Sequence, residues 1–414
     1  MPATPAGDNW VTPDSLDPGT SQVHGQIQAV LTAANFDHLQ EVALLARKAQ
    51  DEGTATDVTC SIDPRSFTYG FNNVVLKVAF SDHVCWIARV RYGPVDVSRA
   101  REHAVDMLSE IATMKTLSSR TTVPVPRVFA FDTSPSNEFG FPYILMECLE
   151  GRILDSSIAR QVPADHLPKV ARQLADVLFQ LENLTFDRLG RIWCGENCDE
   201  PPRVIPCAVD KTASATPCPQ TSLEWFYASR QEENRRALET HVDDAQWRTA
   251  CWVLKTALSH IIVEDRLHGP FPLCHLDLHY GNLLFDDEYN LTGVIDWSHA
   301  ATVPLERLAV SPEFITFPAL PETDRVVVNF RDATRECLQE LEDEAELSTR
   351  GDCKTTKTVL SMILGSRQAE ITHRCTYSYP HRALWDGRLV SELIYGNSVS
   401  WEQLVDVYGG VKVY

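Results

Sequence analysis

The sequence has no apolar run approaching the ~20 residues that a membrane-spanning helix needs. It has no Gly-x4-Gly-Lys-Ser/Thr string, which excludes a P-loop nucleotide site. No internal repeat is present, so a solenoid is excluded. The first twenty residues, Met1 to Thr20, lack both a basic start and an apolar segment. They read as a disordered tail rich in Pro, Thr, Asp and Gly, not as a secretory signal. Positive charge is scarce: 37 Lys and Arg face 57 Asp and Glu, for a formal net charge of −20. Phosphates are repelled by such a balance, and nucleic acid is therefore excluded as an expected partner. The twelve cysteines form no framework. Their irregular spacing from Cys60 to Cys375 fits buried thiols of a cytoplasmic protein better than disulfides. Cys194, Cys198, Cys207 and Cys218 hint only weakly at zinc, because their spacing is irregular and no His pair accompanies them.

What is there is an ordinary globular composition, 44% apolar and 23% charged over 414 residues, long enough for two lobes with separate cores. Apolar residues at helical intervals predict a helix over 31–51. Two strands follow at 74–80 and 84–90, joined by the turn Ser81-Asp82-His83. A long helix is expected over 95–117, broken by the prolines of 121–126. Strands at 127–131 and 143–146 complete a small α+β lobe. From Ala164 the pattern is mostly helical, with helices at 223–241, 244–265, 324–347, 357–371 and 384–394. Two short strands, 283–285 and 294–297, interrupt it around the turn 286–290.

Those two strands flank the chemically richest stretch, Cys274-His275-Leu276-Asp277-Leu278-His279-Tyr280-Gly281-Asn282-Leu283-Leu284-Phe285, closed by Val294-Ile295-Asp296-Trp297. An acid, an amide five residues later and a second acid after an apolar run suit a base beside a hydroxyl plus two oxygen ligands for Mg²⁺. Asp277 is the candidate catalytic residue, and Asn282 and Asp296 the candidate metal ligands. His275 is expected to brace the loop. His279 fits either a substrate contact or a loop residue.

His275-Leu276-Asp277 through Asn282-Leu283-Leu284, with Ile295-Asp296-Trp297, resembles the aminoglycoside phosphotransferase family, which includes choline-kinase-like enzymes. The tone is that of its fungal members. Protein kinases carry His-Arg-Asp and Asp-Phe-Gly at these places. The missing Arg before Asp277 and the Trp after Asp296 favour the small-molecule branch. The resemblance covers about 63–313. It implies a two-lobed, protein-kinase-like α+β fold with ATP (or GTP) and Mg²⁺ in the cleft, acting on a hydroxyl of a small molecule. The N-terminal lobe would run over 21–147 and the C-terminal lobe over 148–414.

The resemblance also implies a cation on the third strand paired with an acid on the following helix. Lys77 lies only seven residues past Gly70 and falls on the second strand, as a solvent-facing or edge lysine. Arg89 falls on the third. Glu110 is its expected partner, with Glu102 as the alternative. Gly70 stands alone where kinases have two or three glycines. Ile144 to Gly151 matches the strand and hinge that bind adenine through the backbone, which places Glu147 and Cys148 at the nucleotide. Ser311-Pro312-Glu313 follows Asp296 too closely to close a protein-kinase activation segment, and reads as a helix start. Glu224, Glu232, Glu233, Asp243 and Asp244 lie where family members build a substrate pocket, and read mostly as solvated helix faces. Two other classes fit the same residues: a nucleotide-binding pseudokinase or scaffold, suggested by Arg89 and the thin glycine loop, and a protein kinase, against which the short segment argues. The acceptor and the oligomeric state are not legible.

Overall fold

A computed structural model describes residues 10–16, 23–50, 57–93, 99–206, 218–312, 314, 324–348 and 357–413. Its contacts divide the chain into two compact units that interleave in sequence. One comprises 1–156, 193–203 and 280–299, and the other 157–192, 204–279 and 300–414. The sequence-based division instead placed a single boundary after Glu147. The architecture is α+β, with a sheet-rich first unit and a largely helical second, the class that the kinase-like resemblance implies.

The first unit opens with α1 (His24–Ala33) and α2 (Phe36–Gln50). The expected single helix over 31–51 is two because Asn35 starts the second. Its side-chain oxygen accepts from the His38 N–H at 3.2 Å, while its own N–H donates to the Phe139 carbonyl at 3.0 Å. Residues 10–16, part of the expected tail, include a backbone pairing of Val11 with Phe67, at 2.7 and 3.1 Å. Then come β1 (Cys60–Tyr69), β2 (Asn73–Phe80), β3 (Cys85–Arg91), α3 (Ala100–Arg120), β4 (Val128–Asp132) and β5 (Tyr143–Glu147). They form one antiparallel sheet in the order β1-β2-β3-β5-β4. The β2–β3 turn closes as expected, with His83 in the left-handed region (φ 68°) and its N–H on the Phe80 carbonyl at 3.1 Å.

Alternation along the strands assigns the faces. Trp86, Ala88 and Val90 of β3 join Val74, Leu76 and Val78 of β2 in a buried core with Ile27, Val30, Leu39 and Ala43 of the two leading helices. Arg89, on the alternate register, belongs to the opposite face. The same unit takes in the hairpin Leu283–Phe285/Leu291–Val294. Its turn is built by Asp286, whose Oδ1 accepts from the N–H groups of Glu288 (2.9 Å) and Asn290 (2.8 Å). Two backbone ties hold the hairpin: Arg152 with Phe285 in both directions at 2.8 Å, and Val294 N–H to the Pro124 carbonyl at 2.7 Å. The close approach at Arg152 requires Gly151. Its φ is 116°, and a Cβ there would collide with Thr292 Oγ1 and lie 3.0 Å from the Phe285 carbonyl oxygen.

The second unit is mainly helical, with its longest described helices at Leu167–Asn183, Ser222–Thr240 and Arg325–Ser348. The helix expected over 244–265 ends at Thr256 and continues as 3-10 turns. The helix expected over 357–371 is instead two, Leu360–Ile363 and Arg367–Thr376, parted by Gly365 at φ 74°. A helix at Trp401–Tyr408 was not expected, although its capping box, Ser400 with Gln403, is a readable start signal. The strand Phe271–Cys274, which leads into the motif, pairs with Thr185–Phe186 and Ala301–Thr302. Glu306 is fully buried and accepts from the Val263 N–H at 2.7 Å; burial pushes its carboxyl up to about 7. Glu313 lies outside the described residues, so the expected helix start there is not described. No described helix is long and apolar enough to cross a membrane.

Gly151→Ala should destabilise the protein by on the order of 2 kcal/mol or more, since a positive φ and a backbone collision act together. Urea unfolding checks this, and an unchanged midpoint would mean that the Arg152–Phe285 tie is not a constraint on the hairpin.

Candidate active site

Arg89 occupies the third strand, and its guanidinium meets acceptors from three elements of its unit. Nη1 pairs with Glu110 Oε1 of α3, and Nη2 donates to Asp296 Oδ1 at 2.8 Å. With its amide oxygen turned inward, Asn73 at the start of β2 accepts from Nη2 at 3.0 Å and Nε at 3.1 Å. Arg89 and Glu110 side chains are 13% and 4% exposed, whereas Asp296 is 42% exposed. Burial disfavours the Arg89 charge, but the Glu110 and Asp296 carboxylates outweigh it and hold the guanidinium above its ordinary value. Burial likewise pushes the Glu110 carboxyl upward, against the pull of Arg89. Because a guanidinium keeps its proton in any protein, the carboxylate touching it is the ionised partner at neutral pH.

Glu110 is thus the partner on the helix. The alternative, Glu102, pairs with its neighbour Arg99 at 3.2 Å in the first turn. Lys77 does fall on the second strand, but it is neither solvent-facing nor at an edge. It is half-buried on an interior strand, opposite Ile87 and on the face that carries Arg89. Sequence reasoning missed Asn73 as an Arg89 ligand, because nothing local marks an asparagine at a strand start as the partner of a side chain on the next strand.

Asp296 lies just past the hairpin, not within a strand ending at 297. Its φ is 62°, and Ser298 Oγ donates to Oδ1 at 2.6 Å. A left-handed aspartate is uncommon, costs roughly 1–3 kcal/mol and concentrates at functional sites. Asn282 is 6% exposed at the opposite root of the hairpin, where its carbonyl accepts from the Ile295 N–H at 3.0 Å. The two candidate ligands are therefore brought to the same end of one hairpin.

Gly70 begins the β1–β2 turn. Its N–H donates to the Asn73 carbonyl at 2.9 Å and its carbonyl accepts from Tyr92 Oη at 3.1 Å. A Cβ there would meet nothing within 4 Å, so the turn itself does not require glycine. Glu147 ends β5, bonded through its N–H to the Arg127 carbonyl at 2.8 Å, and Cys148 follows it, buried.

In the second unit, Asp277 has a 66% exposed side chain. Its N–H donates to His275 Nδ1 at 3.2 Å, and its carbonyl accepts from the His279 N–H at 3.1 Å. His279 Nε2 stands 3.8 Å from Asp277 Oδ2. His275 is buried, and its carbonyl accepts from Ser311 Oγ at 2.7 Å, so it braces the loop. The acids near the expected substrate pocket have local partners. Glu224 accepts from the Gln220 N–H ahead of its helix, Asp244 accepts from the Gln246 N–H at its helix start, Glu232 and Glu233 pair with Arg235 and Arg236, and Asp243 pairs with Arg248.

An antiparallel sheet whose interior strand carries a helix-paired cation, with an acid just beyond a separate hairpin, defines the kinase-like class of fold. The chain belongs to the phosphotransferase enzyme family, whose model matches residues 72–341, well over half its length. It is similar to a subtelomeric hrmA-associated cluster protein of Aspergillus fumigatus, 31% identical over 31% of this chain and 24% of that one. It is also similar to a probable acyl-CoA dehydrogenase of Arabidopsis thaliana, 28% identical over 47% of this chain and 21% of that one. The chain thus spans under a quarter of these relatives' length in its matched part. A solved putative aminoglycoside phosphotransferase from Ralstonia eutropha is 14% identical over 89% of this chain and 97% of its own, with a TM-score of 0.48.

Glu110→Ala should lower unfolding free energy by about 3 kcal/mol, the usual loss on orphaning one partner of a buried pair. Adding Arg89→Met should recover part of that loss in a double-mutant cycle followed by urea. Strictly additive losses would show that the two side chains are not coupled.

Proposed function

We propose that the protein transfers the γ-phosphoryl group of ATP to a hydroxyl of a small molecule, in the cytoplasm and with Mg²⁺. The observation that carries this proposal is the Arg89–Glu110–Asp296 cluster, a cation–acid pair on strand and helix tied to an acid beyond the hairpin. Phosphoryl transfer asks a protein mainly for positioning and electrostatic stabilisation. Arg89, oriented by Glu110, would contact the α- and β-phosphates. Gly70 at the first turn and the backbone of Glu147 and Cys148 would contact the nucleotide.

Asn282 and Asp296 offer one amide and one carboxylate oxygen, the hard donors that Mg²⁺ prefers. Two protein donors suffice when phosphates and water complete the shell. Among the described residues no group of three or more His, Cys, Asp or Glu could hold a metal alone, so this pair would act together with nucleotide. Bound there, Mg²⁺ would neutralise charge on the phosphates. Asp277 is exposed, and its backbone is fixed by His275 and His279; it would take the acceptor's hydroxyl proton. The acceptor oxygen bonds to the γ-phosphorus as the bond to the bridging oxygen breaks, and ADP leaves.

A panel of hydroxylated metabolites assayed for ATP consumption should reveal an acceptor. With it, Asp277→Asn should cut turnover by at least about 100-fold while keeping nucleotide affinity, and Asp296→Ala should abolish turnover. Activity retained in either variant contradicts the assignment. Nucleotide binding with no turnover on any acceptor would point to a binding scaffold instead.

A further inference from the structure

We propose that Cys85 and Cys148 are a redox-active pair that peroxide converts to a disulfide joining β3 to the residue after β5. The pairing of β3 with β5 matches Trp86 to Glu147, Ile87 to Met146 and Arg89 to Ile144. One step further along that register sets Cys148 directly opposite Cys85. Directly opposed residues of antiparallel strands have Cα atoms about 4.5 or 5.5 Å apart, inside the roughly 4.4–6.8 Å span that a disulfide accepts. The two side chains also share a face, the one carrying Ile87, Met146 and Arg89, and the thiols are near enough to affect each other's ionisation; the Cys85 thiol itself donates to the Trp86 carbonyl at 3.5 Å.

All ten described cysteines are free thiols, and the surroundings of this pair set it apart. Burial pushes most of the others upward, Cys251 to about 11 and Cys375 and Cys198 to about 12. Cys85 is the one described cysteine that moves down. The neighbouring Cys148 thiol eases its ionisation and outweighs burial, and the ammonium of Lys77 adds to it. Cys148 moves up for the complementary reason. A thiol whose ionisation is eased beside a partner whose ionisation is opposed is the asymmetry of a dithiol redox couple. Each cysteine is buried, at 8% exposure, so the oxidant has to be as small as peroxide.

The step balances with hydrogen peroxide as the oxidant. The Cys85 thiolate attacks one peroxide oxygen, breaking the O–O bond to give a sulfenic acid and hydroxide, which takes the Cys148 proton. The Cys148 thiolate then displaces hydroxide from the sulfenic acid and forms the S–S bond, and that hydroxide takes up the proton that Cys85 released on ionising. Two thiols are oxidised by two electrons, and one peroxide becomes two waters. None of this depends on the proposed phosphotransferase activity.

The test is peroxide titration of the full chain, alkylation of the remaining thiols, and peptide mapping by mass spectrometry. A Cys85–Cys148 crosslinked peptide that has lost two hydrogens and is reversed by thiol reductant should appear before other cysteines are oxidised. In Cys148→Ser, Cys85 should stop at a sulfenic acid that dimedone traps. In Cys85→Ser, Cys148 should remain an alkylatable thiol. The proposal is overturned if both cysteines alkylate freely in the wild type while other cysteines oxidise, or if Cys85 becomes sulfinic acid without the crosslink.

Discussion

The first unit depends on how one buried guanidinium is satisfied. A charge with so little exposure is tolerated only when its donors find acceptors, and those of Arg89 draw on three elements. Glu110 comes from α3, Asp296 from the segment beyond the hairpin, and Asn73 from the start of β2. One side chain therefore ties a helix, a hairpin and a sheet to one another. It also accounts for arginine where kinases carry lysine. Five donors in a planar fork can serve three acceptors at once, whereas a compact ammonium would have to choose among them.

Asp296 is the member of this cluster with the most freedom. It is partly exposed and sits in a strained left-handed conformation, steadied by Ser298 and Arg89. The hairpin that delivers it is pinned by the glycine-dependent Arg152–Phe285 tie and by the Val294–Pro124 bond. Rigid support under a strained acid is the condition for preorganised phosphate and metal chemistry.

Much of this was legible in the sequence, and the failures have physical causes. The strand position of Arg89 followed from counting a turn, a strand and a second turn after Gly70. Its pairing with Glu110 followed from the family pattern, since on periodicity alone Glu102 served as well. Helix breaks at Asn35 and Gly365 were missed because apolar periodicity continued across them, although Asn and Gly are the residues that cap and stop helices. The Trp401–Tyr408 helix was readable from its capping box. Contacts that join distant segments, such as Asn73 with Arg89, leave no local signal. The positive φ of Asp296 could not be anticipated from an aspartate that follows an apolar strand.

The central claim is that the Arg89 cluster binds nucleotide phosphates and, through Asp296, a divalent cation. Calorimetric titration of ATP into the full chain, with and without Mg²⁺, tests it most directly when wild type is compared with Arg89→Met. Binding that needs Mg²⁺ in the wild type and is lost in a still-folded Arg89→Met is the predicted result. Equal affinity in both proteins, or affinity indifferent to Mg²⁺, would contradict it.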